Sequence, residues 1–169
     1  VLDTSKHAEL MTLACKHAIL RRDVAHLIFP DEVQTLPAQD EPASGPEGRL
    51  TQTDISPPAD QLAHAVALLS GAIRPVIIVG HGARFHMEAI TALAEHMNAP
   101  VITTFKAKGQ IADDHPLACG VLGRSGAPVA SWFMNECDAM LVLGASFSDH
   151  TGIYAGKPIV QVDFDPLQL

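Results

Sequence analysis

Short, continuous apolar runs alternate with stretches of helical periodicity along most of this sequence. One run, at residues 75–80, reads Pro-Val-Ile-Ile-Val-Gly without a polar residue, which is typical of a strand that is buried on both faces. Similar runs follow at 101–104, 117–121, 140–144 and 158–163. Alternation of such strands with helices predicts a three-layer α/β fold, in which helices cover both faces of a parallel sheet.

The helices are predicted from apolar residues that recur every three or four positions. Thr4 or Ser5 is a suitable cap for a first helix that ends near residue 22, and a strand at 24–29 follows it. Ser56 and Pro57 predict the start of a second helix, as N-cap and first helical residue. The apolar faces of the last three predicted helices are Leu62, Ala65, Val66 and Leu69; Ile90, Leu93, Ala94 and Met97; and Val129, Trp132 and Phe133.

A change in composition divides the chain. Residues 33–58 are rich in proline, glycine and polar side chains, so this segment cannot bury enough apolar surface to fold by itself and is predicted to be a linker. Residues 1–32, with one helix and one strand, are too few for a core of their own. Because the sequence starts at Val1 without a methionine, we interpret it as a piece of a larger protein in which 1–32 ends a preceding domain and 59–169 forms the α/β domain.

Charge and cysteine usage exclude several classes of protein. The chain has 11 basic and 19 acidic residues and a formal net charge of −8, which argues against binding to nucleic acid or to an anionic membrane. No apolar run approaches the ~18 residues of a membrane span. The three cysteines are far apart and form no CxxC pair, which favours a reducing, cytoplasmic location over a disulfide framework.

Ligands of parallel α/β sheets bind beyond the carboxyl ends of the strands, so the loops that follow the strands are the candidate site. Gly80, Gly82 and Ala83 follow the first run; glycines there either let a phosphate approach the backbone or form a tight turn, and the GxGxxG motif is incomplete. Lys108 and Gly109 follow the second run, where the lysine faces either a phosphate or solvent.

The last strand ends at Asp163, whose carboxylate either accepts hydrogen bonds from a ribose or adenine or caps the next turn. Conventional catalytic patterns are absent, since the sequence has no HExxH, HxH or GxSxG motif. We therefore predict neither a catalytic residue nor a metal site in this chain.

Five segments, taken in order, share the pattern of a known family: 21–34, 74–83, 103–123, 137–149 and 159–166. Together they resemble the thiamine diphosphate-dependent enzymes of the acetolactate synthase and pyruvate oxidase group. The resemblance implies that 59–169 is the central domain of such an enzyme, with a six-stranded parallel sheet of the Rossmann-like type also seen in sirtuins and other FAD- or NAD-binding proteins. It also implies that 1–32 is the end of the pyrimidine-binding domain.

In flavin-containing members of that group the central domain holds the adenine dinucleotide part of FAD, others hold an ADP or coenzyme A moiety there, and several decarboxylases hold nothing. Some flavin enzymes have arginines where this sequence has Ser146 and His150. Thiamine diphosphate and Mg²⁺ would be bound by parts of the parent outside this sequence, so the chain is not expected to catalyse a reaction alone. The contacts that the resemblance implies for a nucleotide are Gly80, Gly82, Ala83, Lys108, Gly109, Phe147, Asp149 and Asp163.

Three functions therefore stay open. The chain is a nucleotide-binding central domain, a scaffold domain without a ligand, or an unrelated nucleotide binder of the sirtuin or electron-transfer-flavoprotein type, although the lack of zinc-binding CxxC pairs argues against a sirtuin. The expected partners are the remaining domains of the parent chain and further copies of it, in a homodimer or homotetramer.

Overall fold

The structure is a computed structural model that describes residues 1–2, 6–37, 48–51 and 55–169. Thr4 and Ser5, predicted to cap the first helix, lie outside the described residues, as does part of the predicted linker. The chain divides into two units, Val1–Ile55 and Ser56–Leu169, and the division falls inside the segment 33–58.

The first unit contains helix α1 (His7–Arg21) and a single turn of helix, α2 (Asp31–Gln34). The C-cap of α1 is Arg22, which has a left-handed backbone with φ of 53°, and none of the residues of α1 is buried. The prediction of a strand at 24–29 is wrong, because these residues form no strand. A strand needs a neighbour to satisfy its backbone hydrogen bonds, and the described part of this unit contains no other strand.

The second unit alternates strands and helices as the sequence predicts. Each of its strands begins and ends within one residue of a predicted apolar run. Short 3-10 turns follow β1, β2 and β5 at His81–Ala83, Phe105–Ala107 and Pro166–Gln168. The elements are α3 (Ala59–Gly71), β1 (Pro75–Val79), α4 (Met87–Met97), β2 (Val101–Thr103), β3 (Ala118–Val121), α5 (Pro128–Glu136), β4 (Ala139–Leu143) and β5 (Ile159–Val162).

All five strands are parallel and lie in the order β3-β2-β1-β4-β5. Ile77 in the central strand lies opposite Val101 of β2 and Leu141 of β4. The strand order reverses between β1 and β4, which makes the carboxyl ends of these two strands the topological switch point of the sheet. The six strands implied by the family resemblance are not found: the described residues supply five, and the chain after β5 forms a 3-10 turn.

Helices cover both faces of the sheet, which confirms the three-layer α/β arrangement. Alternate residues of β1 pack on opposite sides: Ile78 packs with Met134 of α5 in one core cluster, and Ile77 packs with Ile90 of α4 in the other. The largest fully buried side chains are Ile77, Ile78, Ile102, Leu122 and Met140.

The start of α3 differs from the sequence prediction. The helix begins at Ala59, after Pro58, rather than at Pro57. The reason is steric, since a residue that precedes a proline is disfavoured in the helical region and Pro57 precedes Pro58. The predicted apolar face of α3 is largely uncovered: Leu62 and Val66 are more than half exposed, and only Leu69 packs against the core.

No helix in the described part of the chain is long and apolar enough to cross a membrane.

Candidate functional site

The loops that follow β1 and β4 pack directly against each other at the switch point. The backbone N–H of Gly80 donates to the Leu143 carbonyl at 2.8 Å, and that of Gly82 donates to the Gly144 carbonyl at 2.9 Å. A Cβ atom at Gly80 would lie 2.0 Å from the Gly144 carbonyl oxygen, and one at Gly82 would lie 2.9 Å from Gly144 Cα. Both candidate glycines are therefore required for this packing, whether or not a ligand approaches them.

Ala83 closes the 3-10 turn after β1 and faces the core rather than the edge. Its side chain is 6% exposed and belongs to the cluster beneath α4. Arg84 next to it is exposed; its Nη1 donates to the His81 carbonyl at 3.0 Å, and its guanidinium lies 4.3 Å from the centre of the Phe85 ring. Arg84 thus presents a cation at the surface of this turn, while Ala83 packs in the core beneath it.

The loop after β2 lies beside the turn after β1. His81 Nδ1 is 3.3 Å from the carbonyl oxygen of Lys106, which joins the two loops. The Lys106 side chain is exposed and forms no ion pair with another described residue. The family resemblance selected Lys108 instead, because Lys108 is followed by Gly109, as in the lysine–glycine pair of that family.

Lys108 is engaged by a carboxylate of its own loop. Its Nζ lies 2.5 Å from both carboxylate oxygens of Asp113. Gly109, which follows, has a positive φ of +89° and open space around the position of a Cβ atom, so its conformation rather than crowding favours glycine. Next to it, the side-chain oxygen Oε1 of Gln110 is buried without a hydrogen-bond partner among the described residues.

The loop between β4 and β5 crosses the carboxyl edge towards β3. The Arg124 backbone N–H donates to the His150 carbonyl at 3.3 Å. A Cβ atom at Gly123 would lie 2.7 Å from that same carbonyl oxygen and 2.7 Å from the ring of Phe105. The loops after β2, β3 and β4 therefore meet around Phe105, whose ring is half-exposed.

Two implied contacts, Phe147 and Asp149, lie on this crossing loop. Phe147 is 39% exposed, and Asp149 is exposed with no hydrogen bond or ion pair to its carboxylate from the residues described. The loop is held locally by Ser148 Oγ, 3.0 Å from Thr151 Oγ1. Both side chains are free to contact a ligand, and neither has a structural role that the geometry reveals.

Asp163 is not the cap of the next helical turn, because the 3-10 turn at Pro166–Gln168 is capped by Asp165; Asp163 instead supports the bend that precedes that turn. Its Oδ1 accepts a hydrogen bond from the Asp165 backbone N–H at 3.0 Å, and Asp165 Oδ1 accepts one from the Leu167 N–H at 3.0 Å. These bonds build the turn that follows β5. A ribose or adenine at Asp163 would have to share this carboxylate.

The described residues contain no group of three or more histidine, cysteine or acidic side chains arranged for a metal ion. Burial raises the pKa of the Cys119 and Cys137 thiols, which disfavours the reactive thiolate form.

The amino edge of the sheet carries a cleft of about 280 Å³. Trp132, predicted from its helical spacing to lie in the core, is instead 56% exposed at this cleft. Its ring stands edge-on to Phe133 with 4.9 Å between centroids. Periodicity placed both residues on one face of α5, but only Phe133 packs against the core.

Lys157 lies at the same edge and caps α5. Its Nζ donates to the carbonyl oxygens of Met134 at 3.2 Å and of Cys137 at 2.7 Å, and also to that of Asn135. These carbonyls end the helix and have few intrahelical partners, and a cation there also complements the helix dipole. The β5 segment is thereby fastened to α5 by one side chain.

Asp138 joins the α3–β1 connection to the start of β4. Its Oδ2 accepts from the Ile73 N–H at 2.8 Å and its Oδ1 from the Arg74 N–H at 2.9 Å. Burial works against the charged carboxylate, but these backbone donors outweigh it and hold the pKa of Asp138 below its ordinary value of 3.8.

We expect Asp138→Asn to cost about 1 kcal/mol of stability at neutral pH, because only the oxygen of the amide accepts a hydrogen bond and its NH₂ group would face the second backbone donor. A carboxyl with a lowered pKa stabilises the fold fully above its ordinary value and loses that contribution as the pH falls towards the lowered one. Urea unfolding at a series of pH values should therefore show a gap between the two proteins that closes below about pH 4. The control is Glu136→Gln, whose carboxylate is 4.0 Å from Arg74 and half-exposed; an equal effect from it would contradict the role of Asp138.

Comparison with known proteins gives a consistent result. Residues 62–169 match the family described as thiamine pyrophosphate enzyme, central domain. The chain is 29% identical over 153 residues to acetolactate synthase isozyme 1 large subunit of Escherichia coli K12. The matched region covers 88% of this chain and 25% of that protein. It is also 28% identical over 166 residues to YdaP of Bacillus subtilis, provisionally named a thiamine pyrophosphate-containing protein. That match covers 95% of this chain and 28% of the relative.

A solved structure shares the fold. It comes from Mycobacterium smegmatis and is provisionally named a thiamin diphosphate-dependent enzyme; the TM-score is 0.58 at 23% sequence identity, over 76% of this chain and 27% of that one. The chain thus spans between a quarter and a third of the length of each of these three proteins.

Proposed function

The chain belongs to the thiamine pyrophosphate enzyme central-domain family, and we propose that it binds the ADP portion of FAD, or of a related adenine nucleotide, at the carboxyl edge of its sheet. On this proposal the fold is of the FAD- and NAD-binding type, and the ligand lies across the ends of β1, β2 and β4. The domain would position the nucleotide within a longer parent protein and would not catalyse a reaction alone.

The observation that carries the proposal is the continuous rim at the switch point. Gly82 bonds to Gly144, and His81 contacts Lys106, so three loops from neighbouring strands form one surface where nucleotides bind in this fold class. The rim presents an exposed lysine without an ion-pair partner from the described residues, Lys106, and a half-exposed aromatic ring, Phe105. A cation suits a phosphate and a ring suits adenine.

The parent protein is also part of the proposal. Residues 1–32 would end its pyrimidine-binding domain, 33–58 would link the two domains, and 59–169 would form the central domain. Thiamine diphosphate, which supplies carbanion chemistry when bound, and Mg²⁺ would be held by other domains of a cytoplasmic, oligomeric 2-oxo-acid enzyme, as the family resemblance implies.

A scaffold without a ligand is the second candidate function, and specific contacts favour it. Gly80 and Gly82 are explained by packing against Gly144, Asp163 by its turn and Lys108 by Asp113. On this alternative the edge only connects the flanking domains, and its remaining exposed groups, such as Lys106, have no ligand.

Lys106→Met separates the two candidates. We expect the wild-type chain to bind ADP and FAD in titration calorimetry, and Lys106→Met to weaken ADP about tenfold while leaving adenosine unchanged, because the lost contact is to a phosphate. Arg74→Met, which removes the same charge at the opposite edge, should leave both affinities unchanged. Absence of ADP and FAD binding by the wild-type chain would overturn the nucleotide proposal in favour of the scaffold.

A further inference from the structure

We propose that Asp113 sets how strongly the carboxyl edge attracts the phosphate groups of its ligand, by occupying the ammonium group of Lys108. This inference rests on the proposed binding of an adenine nucleotide and names a residue that neither the sequence pattern nor the family resemblance selects. Asp113 acts as an internal competitor: it presents to Lys108 the same kind of anionic oxygen that a phosphate would present.

The geometry of the pair is that of a carboxylate fully engaged with one cation. Lys108 Nζ is equidistant, at 2.5 Å, from Oδ1 and Oδ2 of Asp113, and both residues belong to the connection between β2 and β3. The two side chains are 51% and 74% exposed. Ion pairs with this much exposure are weak and exchange readily, so a phosphate with two negative charges is able to displace the carboxylate.

Displacement has a cost that depends on Asp113. When a phosphate takes Lys108, the Asp113 carboxylate stays on the same loop and repels the phosphate at short range. A ligand without phosphate neither needs Lys108 nor meets this repulsion. The pair therefore lowers affinity for adenine nucleotides and leaves affinity for the nucleoside unaffected, which makes Asp113 a residue that tunes discrimination between the two.

One neighbour supports this loop as a ligand surface. No atom lies within 4 Å of the Cβ position of Gly109, so the backbone between Lys108 and Gln110 is open to a ligand.

Asp114 provides a matched control beside Asp113. It is exposed, carries the same charge one residue away, and forms no ion pair with any described residue. Asp113→Asn and Asp114→Asn change the net charge of the chain and of this loop equally, and both keep the size of the side chain. Only the first releases Lys108.

The experiment is calorimetric titration of ADP and of adenosine into the wild-type chain and both variants at low salt. We expect Asp113→Asn to bind ADP about fivefold more tightly, equal to ~1 kcal/mol, with adenosine changed less than about twofold and with Asp114→Asn within about twofold of wild type for both. Adding Lys108→Met to Asp113→Asn should abolish the gain. Circular dichroism confirms that each variant is folded.

Three results would overturn the inference. Equal gains in Asp113→Asn and Asp114→Asn would show that overall charge, not the pair, controls affinity. Weaker ADP binding by Asp113→Asn would show that Asp113 positions Lys108 for the ligand. Binding of neither ADP nor adenosine by any variant would overturn the proposed function as well, whereas the first two results leave it intact.

Discussion

Gly80→Ala is expected to lower the thermal unfolding midpoint by about 10 °C. We expect this variant to lose ~3 kcal/mol of stability, and each kcal/mol lost lowers the midpoint of a chain of this size by ~2–4 °C. A methyl group at this position would overlap the Gly144 carbonyl oxygen at 2.0 Å and Ala145 Cα at 2.3 Å. Both are backbone atoms, so relief requires that the loop after β4 move away from β1 and break the hydrogen bond between Gly82 and Gly144. Overpacking of this kind costs ~1–3 kcal/mol or more.

The matched control is Gly71→Ala at the end of α3. No atom lies within 4 Å of its Cβ position, and alanine is favoured over glycine in a helix by ~1 kcal/mol. This variant should unfold at the same temperature as wild type or slightly above it. If Gly80→Ala were equally stable, the loops after β1 and β4 would not be packed as described, and the glycines would need a different explanation.

Lys157→Met is expected to cost about 2 kcal/mol, because it removes a charged donor from three carbonyl oxygens at the end of α5. Methionine keeps the length and much of the apolar stem, so the loss reflects hydrogen bonding and the interaction of the cation with the helix end. Chemical denaturation followed by circular dichroism measures the difference in free energy of unfolding. Lys157→Arg keeps the charge and should lose less.

Lys106→Met is the control for this second effect. Lys106 is an exposed lysine whose side chain makes no ion pair with a described residue, so its loss should change stability by less than ~0.5 kcal/mol. The same variant is expected to weaken ADP binding, so the two lysines separate stability from ligand affinity. Equal destabilisation by Lys106→Met and Lys157→Met would contradict the capping role of Lys157.

The strands were predictable because a strand that is buried on both faces has a recognisable local sequence, a continuous run of apolar residues. Each continuous apolar run, such as the one at 75–80, became a strand. The order of the strands was not predictable from the residues, since pairings such as Val76 with Met140 join distant parts of the chain. The prediction at 24–29 failed for the same reason: an apolar stretch becomes a strand only where a neighbouring strand is available.

The candidate site was predictable as a place but less so as a set of residues. Strand-end loops locate the edge of any parallel sheet, and Gly80 lies at the switch point as that rule implies. Whether a glycine serves packing or a ligand depends on atoms from a remote loop, here Gly144. Lys106 and Lys108 differ in that only Lys108 forms an ion pair, with Asp113 five residues later. That spacing belongs to no helix or strand pattern, so the sequence does not predict the pair.

The position of Trp132 determines which structural changes alter the intrinsic fluorescence of this chain. It is the only tryptophan in the sequence and is already 56% exposed to water in the native fold, so its emission wavelength will change little when the chain unfolds. Its location at the amino edge also separates it from the edge where we place the nucleotide. Intrinsic fluorescence therefore senses events at the end of α5, while a bound flavin would report the opposite edge through its own absorption and emission.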